Sequence, residues 1–252
     1  MSAVSSEIFE CILELQNLKS LHNFSLGGGT NIALRFNHRK SIDIDLFCPD
    51  IIGKKGFVSI EKEVKQFYGD RVLGLSYPCD IDDQFCFIRF FLKKNDETTK
   101  VELIQNFKNL ETSDQLNNIR LLSVNDIGLY KLSSAANRAS KKDIYDLDFI
   151  TDTIDLIKLY QLLKSKIEKF SLPEHRTIFD LDNEISPIDK PELLLSFDDS
   201  RSNNRSRPFH LQDRIDIIPN SKSWQAARIS WRSKVRQLFN HLDIKFPGPE
   251  IK

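Results

Sequence analysis

Ser41 to Phe47 reads SIDIDLF, so Ile42, Ile44 and Leu46 alternate with Asp43 and Asp45 at strict two-residue spacing. A strand with this pattern turns its apolar residues toward a core and holds two carboxylates side by side on the opposite face. Just upstream, Phe24-Ser25-Leu26 forms a short apolar strand that runs into Gly27-Gly28-Gly29, and Thr30 to Phe36 reads as a helix starting on that turn. Glycines let a backbone come close to a phosphate, and the free amides at a helix N-terminus favour an anion there. The paired acids suit hard divalent cations. A two-metal site holds such ions roughly 3.5–4 Å apart, to activate a hydroxyl and to steady a leaving pyrophosphate. It needs one more carboxylate from a neighbouring strand. Glu102, alternating with Val101 and Leu103 in KVELI, is the candidate, and an ordinary solvent-facing strand residue is the other reading.

At 252 residues, 40% apolar and 29% charged, the chain can build one large domain or two modest ones, and outright disorder is excluded. No apolar run reaches bilayer length, and MSAVSSEIFE lacks the basic and apolar regions of a secretory signal. Cys11, Cys48, Cys79 and Cys86 are scattered singly. Reduced, buried thiols in a cytoplasmic protein are therefore expected, rather than a disulfide frame or a zinc site. Periodicity predicts helices over 6–21 and 58–68 and strands over 72–77, 85–92 and 100–104. After Leu122 the pattern turns helical. Ser123 and Asp126 have capping-box spacing, and helices follow over 144–150, 154–170 and 223–242. A Pro- and Asp-rich stretch at 171–192 interrupts them, and 201–210 reads as an exposed, flexible loop. The expected organisation is α/β (α+β). An α/β domain over 1–122 carries the acids on a small twisted mixed sheet, and a mainly helical domain with a basic end covers 123–252.

The segment LGGGTNIALRFNHRKSIDIDLF resembles the polymerase-beta-like nucleotidyltransferase superfamily. Within it, the wording is similar to the AbiEii/AbiGii toxin-type nucleotidyltransferases of bacterial toxin–antitoxin and phage-defence systems. A second block, Lys131-x3-Ala135-x2-Arg138-x3-Lys142-Asp143-x2-Asp146, resembles that family's helical block, and Leu195-Ser196-Phe197-Asp198-Asp199 is a third, weaker likeness. The resemblance covers most of residues 20–200. It implies a polymerase-beta-like sheet with flanking helices, followed by a mainly helical part. It also implies transfer of a nucleoside monophosphate from an NTP to an acceptor, with Mg2+ (or Mn2+) bound and pyrophosphate released. The 3′ end of an RNA, tRNA first, is the implied acceptor, with toxicity following from lost aminoacylation, and a cognate antitoxin is the implied partner.

In that reading Asp43, Asp45 and Glu102 hold the metal, although the third acid of such enzymes is usually Asp. Gly27, Gly28, Gly29 and Thr30 face the phosphates, with Thr30 where many relatives have Ser. Lys131 lies on the triphosphate as a further catalytic group, and Arg138 and Lys142 extend the basic lining; a solvated lysine on an amphipathic helix is the plainer reading of Lys131. Asp143 and Asp146 share a helix face and either serve as general base or pair with Lys142 and Arg138; pairing is the reading preferred. His38 and Arg39 are read as a solvated loop. Nucleotidylation of a protein or small molecule and a non-catalytic nucleotide-binding module remain the competing functions.

Charge is uneven: residues 201–252 carry 11 Lys/Arg against 4 Asp/Glu, and residues 1–200 carry 25 against 32. A polyanionic partner and pairing with the acidic first part explain this equally well. In the last helix Trp224, Ala227, Trp231, Val235, Leu238 and Leu242 form an apolar stripe expected to be core. Arg228, Arg232 and Arg236 form a basic stripe beside it, a candidate RNA contact.

Overall fold

The computed structural model describes residues 2–198 and 214–247, so the 201–210 segment and Asp199 of the third block lie outside the described residues. The chain forms two compact units. One runs up to Ile127 and includes Phe170–Asp182; the other comprises Gly128–Lys169 and the described residues from Asn183 onward.

The first unit contains, in order, α1 (Ser6–Asn17), β1 (Ser25–Leu26), α2 (Gly28–Phe36), β2 (Ile44–Phe47), α3 (Gly53–Tyr68), β3 (Val72–Asp80), β4 (Cys86–Lys94), β5 (Glu97–Ile104), β6 (Asp114–Leu116) and β7 (Ile119–Leu121). The strands form one mixed sheet in the order β3-β4-β5-β2-β1-β7-β6. Ile44, Leu46, Ile88, Phe90, Val101 and Leu103 are buried, and α1 and α3 bring Ile8, Ile12, Leu15, Phe57, Ile60 and Val64 to the core. β2 therefore sits mid-sheet, parallel to β5 and antiparallel to β1, where its backbone is fixed on both sides.

Three local features depart from the sequence expectation. The helix expected over 6–21 stops at Asn17, where Leu18 turns extended and a short 3-10 turn follows. Residues 114–121 form a hairpin the periodicity did not mark; Asn117 and Asn118 both adopt left-handed φ (50° and 65°), the backbone of a tight two-residue turn. Ile42 is 66% exposed rather than core-facing. Regular pairing of β2 with β5 begins only at Ile44, and the chain before it is held by the Thr30 hydroxyl instead, which donates to the Asp43 carbonyl.

Ser123 begins α4 (Val124–Arg138), with its Oγ accepting from the Asp126 amide at 3.0 Å. The Asp126 carboxylate accepts from the amides of Leu110 (2.8 Å) and Glu111 (3.0 Å), so the capping residue also ties down a loop. The second unit continues with α5 (Lys141–Ile150), α6 (Leu156–Lys169) and α7 (Trp224–His241). Ala227, Trp231, Val235, Leu238 and Phe239 of α7 are buried, and Trp231 Nε1 donates to the Leu194 carbonyl at 2.9 Å. Trp231 is thus core, as expected, whereas Trp224 and Leu242 are only half-buried. Ser223 Oγ accepts from the Ala226 amide at 3.2 Å. Ser223→Ala is expected to cost about 1 kcal/mol, read as a lower urea midpoint at unchanged m-value. Among the described residues no helix is long and apolar enough to cross a membrane. All four cysteines are free thiols; Cys11, Cys48 and Cys86 are buried.

Candidate active site

The parallel pairing of β2 with β5 puts Asp45 directly beside Glu102, and the antiparallel pairing of β5 with β4 puts Arg89 on the other side of Glu102. Neighbouring partners in a sheet point to the same face, so a row Asp45, Glu102, Arg89 crosses three strands. Lys100 lies two residues back on β5 and so shares that face, and Asp43 lies just before β2. Arg89 donates to Glu102 Oε1 from Nε (2.7 Å) and from Nη2 (2.5 Å). Lys100 Nζ lies 3.2 Å from Glu102 Oε2 and 3.7 Å from Asp43 Oδ2.

Burial pushes the Asp45 carboxyl up to about 7, and the Glu102 and Asp43 charges push the same way against the opposing Lys100 ammonium. Burial also opposes ionisation of Glu102, yet Lys100 and Arg89 outweigh it and hold that carboxyl below its ordinary value. Lys100 is raised: desolvation opposes its charge, but the carboxylates of Asp43, Glu102 and Asp45 prevail. The sequence reading found the three acids and missed both cations. Their signal was present, since Lys100 alternates with Glu102 along β5 and Arg89 is the charged residue in the run FIRFF.

The glycine turn lies against this row. Gly28 has φ +60°, which side-chain-bearing residues rarely adopt, and a Cβ there would collide with Asp45 Oδ2. A Cβ at Gly29 would collide with Arg39 Nη2, so the Arg39 guanidinium lies over the start of α2. Gly27 accepts the Asn31 amide at 3.2 Å and donates its own N–H to the Asp45 carbonyl at 2.8 Å. Thr30 is turned inward: its hydroxyl donates to the Asp43 carbonyl and lies 2.9 Å from Ser41 Oγ. Asn31 Nδ2 donates to the carbonyls of Leu26 (2.8 Å) and Leu122 (3.0 Å), fixing the turn to two strands. His38 and Arg39, read from the sequence as a solvated loop, are 0% and 6% exposed. That reading is corrected: the segment packs onto α2 because Gly29 leaves room for the arginine.

In the second unit Lys131 is buried, with its Nζ 2.7 Å from Asp143 Oδ1 and 2.8 Å from Asp146 Oδ2, and Arg138 Nε lies 3.5 Å from Asp143 Oδ2. Desolvation opposes the Asp143 charge, but Lys131 and Arg138 hold its carboxyl below the ordinary value. Of the expected pairing, only that of Arg138 with Asp143 is present among the described residues; both acids instead meet Lys131, whose reading as a solvated lysine is corrected by its burial between them. Lys142 is half-buried on α5. On α7, Arg228 and Arg236 are exposed and Arg232 is half-buried; the guanidiniums of Arg232 and Arg236 lie 5.8 and 4.8 Å from the Phe246 ring.

The family model described as nucleotidyl transferase AbiEii toxin, type IV toxin–antitoxin system, matches residues 13–197. The chain belongs to the AbiEii nucleotidyltransferase toxin family. A curated relative, uncharacterized protein aq_aa25 of Aquifex aeolicus, is 28% identical over 170 residues, 66% of this chain and 77% of that one. Among solved structures, the nucleotidyltransferase toxin MenT4 of Mycobacterium tuberculosis is similar, with a TM-score of 0.51 at 18% identity, over 95% of this chain and 83% of that chain. This likeness places the AbiEii chain in the same nucleotidyltransferase fold. A toxin of a type IV system implies an antitoxin as partner and an NTP as substrate.

Such enzymes usually carry a divalent metal. Among the described residues of this AbiEii chain, no three His, Cys, Asp or Glu side chains are gathered as a metal cage. The donor chemistry nevertheless fits a hard cation at Asp43 and Asp45. Both offer carboxylate oxygens, and the Asp45 carboxyl, raised first by burial and further by the Glu102 and Asp43 charges, is one whose ionised form a cation would favour. Glu102 is already engaged by Arg89 and Lys100.

Proposed function

We propose that the chain transfers a nucleoside monophosphate from an NTP to the 3′ end of an RNA, tRNA first, with Mg2+ or Mn2+ bound at Asp43 and Asp45. The observation that most supports this is the placement of Asp45, beside Glu102 in register and beneath the left-handed Gly28. In the reaction the acceptor oxygen bonds to the α-phosphorus, the bond to the bridging oxygen breaks, and its electron pair leaves with pyrophosphate. The hydroxyl proton passes to water. A bound divalent cation neutralises the phosphate oxygens and lowers the cost of the developing charge. The turn amides at Gly28 and Gly29, with the Arg39 guanidinium over them, bind the phosphate chain. Thr30 acts on Asp43 through the backbone, and Glu102 and Arg89 orient Asp45. The protein works in the cytoplasm, where NTP and tRNA are at hand, and its toxicity is held in check by the antitoxin of its system, with phage defence as the setting.

Periodate oxidation of the terminal ribose tests the acceptor. Label from an α-³²P NTP should reach intact tRNA and not oxidised tRNA. Equal labelling of both would rule out the 3′ end, and label on protein or a small molecule would move the acceptor there. Gly28→Ala should lower transfer about 100-fold by displacing Asp45. It should also cost about 1–3 kcal/mol from the strained φ, seen as a lower Tm. Replacing Arg228, Arg232 and Arg236 together with Ala should reduce the slope of log K for tRNA against log salt by about 2. An unchanged slope in a gel-shift titration would remove α7 from the RNA contact.

A further inference from the structure

We infer that Lys100 takes the place of a second divalent cation, so that the site works with one metal ion, held by Asp43 and Asp45, and one built-in ammonium. This rests on the reading of the site as a metal-dependent nucleotidyltransferase centre. A two-metal centre uses its third carboxylate to hold the second ion. Here that carboxylate is taken: Arg89 occupies Oε1 of Glu102 with two donors at 2.7 and 2.5 Å, and Lys100 lies 3.2 Å from Oε2. The same Lys100 Nζ lies 3.7 Å from Asp43 Oδ2, so it sits between the two acids that would share the second ion.

The arrangement is set by the backbone. Lys100 lies two residues before Glu102 on β5, Asp43 lies just before β2, and Glu102 is level with Asp45. Lysine and the three acids therefore meet in one patch, with Asp45, Lys100 and Glu102 on paired strands and Asp43 within 3.7 Å of the Lys100 Nζ. Charge balance agrees. Asp43, Asp45 and Glu102 carry three negative charges, and Lys100 and Arg89 carry two positive ones. One divalent cation leaves a modest positive excess to meet the triphosphate. Two would place like charges against an ammonium that lies 3.2 Å from Glu102 and 3.7 Å from Asp43. Lys100 keeps its protons and contributes charge alone, holding the acceptor oxygen where a second metal would hold it. The bonds made and broken are those of the proposed transfer.

The test is Mn2+ binding followed by electron paramagnetic resonance, with the four α,β-methylene NTP analogues present, alongside label transfer. Wild type should saturate at one Mn2+ per chain. Lys100→Met should admit a second Mn2+ and lose transfer about 100-fold in Mg2+. Two ions in wild type would overturn the inference, a measurement that needs no variant to fold. A Lys100→Met protein that keeps the wild-type rate, or that still takes one ion only, would overturn it as well. Absence of both bound Mn2+ and label transfer would instead bring down the nucleotidyltransferase reading on which the inference stands.

Discussion

Asp45→Asn is expected to cut monophosphate transfer by at least about 1000-fold while raising the Tm of the metal-free protein at pH 8. The loss of activity would follow from removing one of the two proposed carboxylate ligands of a cation that would stabilise charge developing in the transition state; 1000-fold is about 4 kcal/mol of barrier. The gain in stability has a separate cause. In the folded protein the Asp45 carboxyl is raised from 3.8 to about 7, so the folded state keeps a proton that the unfolded chain gives up between those values. Stability therefore falls as pH rises through that window and is lowest above it. Asparagine removes the penalty, a gain on the order of 1–3 kcal/mol at pH 8. For a chain of this size that is a few degrees in Tm. At pH 4 the wild type and the variant should melt together. Added Mn2+ should stabilise the wild type more than the variant. A variant less stable than wild type at pH 8 would mean that Asp45 is not held against its charge.

Lys131→Met is expected to destabilise the protein by about 3–5 kcal/mol, because it leaves two buried carboxylates without their cation. Lys131 Nζ is within 2.8 Å of both Asp143 and Asp146, and all three are buried. Asp143 is held below its ordinary value, so its contribution to stability is present above that value and is lost as pH falls through the lowered one. The wild type should thus show acid lability that the variant lacks. Replacing Asp143 and Asp146 with Asn in the Lys131→Met background should recover most of the stability. A lysine whose main duty is the triphosphate would give the opposite pattern, with Tm unchanged and KM for the NTP raised.

The strand of the proposed site was legible because two independent signals coincide there: alternation sets the face of the paired acids, and glycine marks the turn. Glu102 was found by the same alternation on β5, since strands of one sheet must share a buried face. What alternation cannot supply is register. That Arg89 and Lys100 flank Glu102 depends on pairing across β4, β5 and β2, which is set by long-range packing. Ile42 failed for a related reason. Its spacing is right, but the ladder begins two residues later. The Asn117-Asn118 turn carried a readable signal, two residues tolerant of left-handed φ, yet the strands around it span only three residues each and show no period. Burial of Arg39 was hidden because the space for it is created by Gly29, ten positions away.

The most direct measurement is incubation of the purified protein with total tRNA, Mg2+ and each of the four α-³²P NTPs, beside an Asp43→Ala/Asp45→Ala control and an EDTA control. Label on tRNA from at least one NTP is expected with the intact acids and Mg2+, and in neither control. Label that persists without the acids, or no label on any acceptor with them, would contradict a metal-dependent nucleotidyltransferase centre at Asp43 and Asp45.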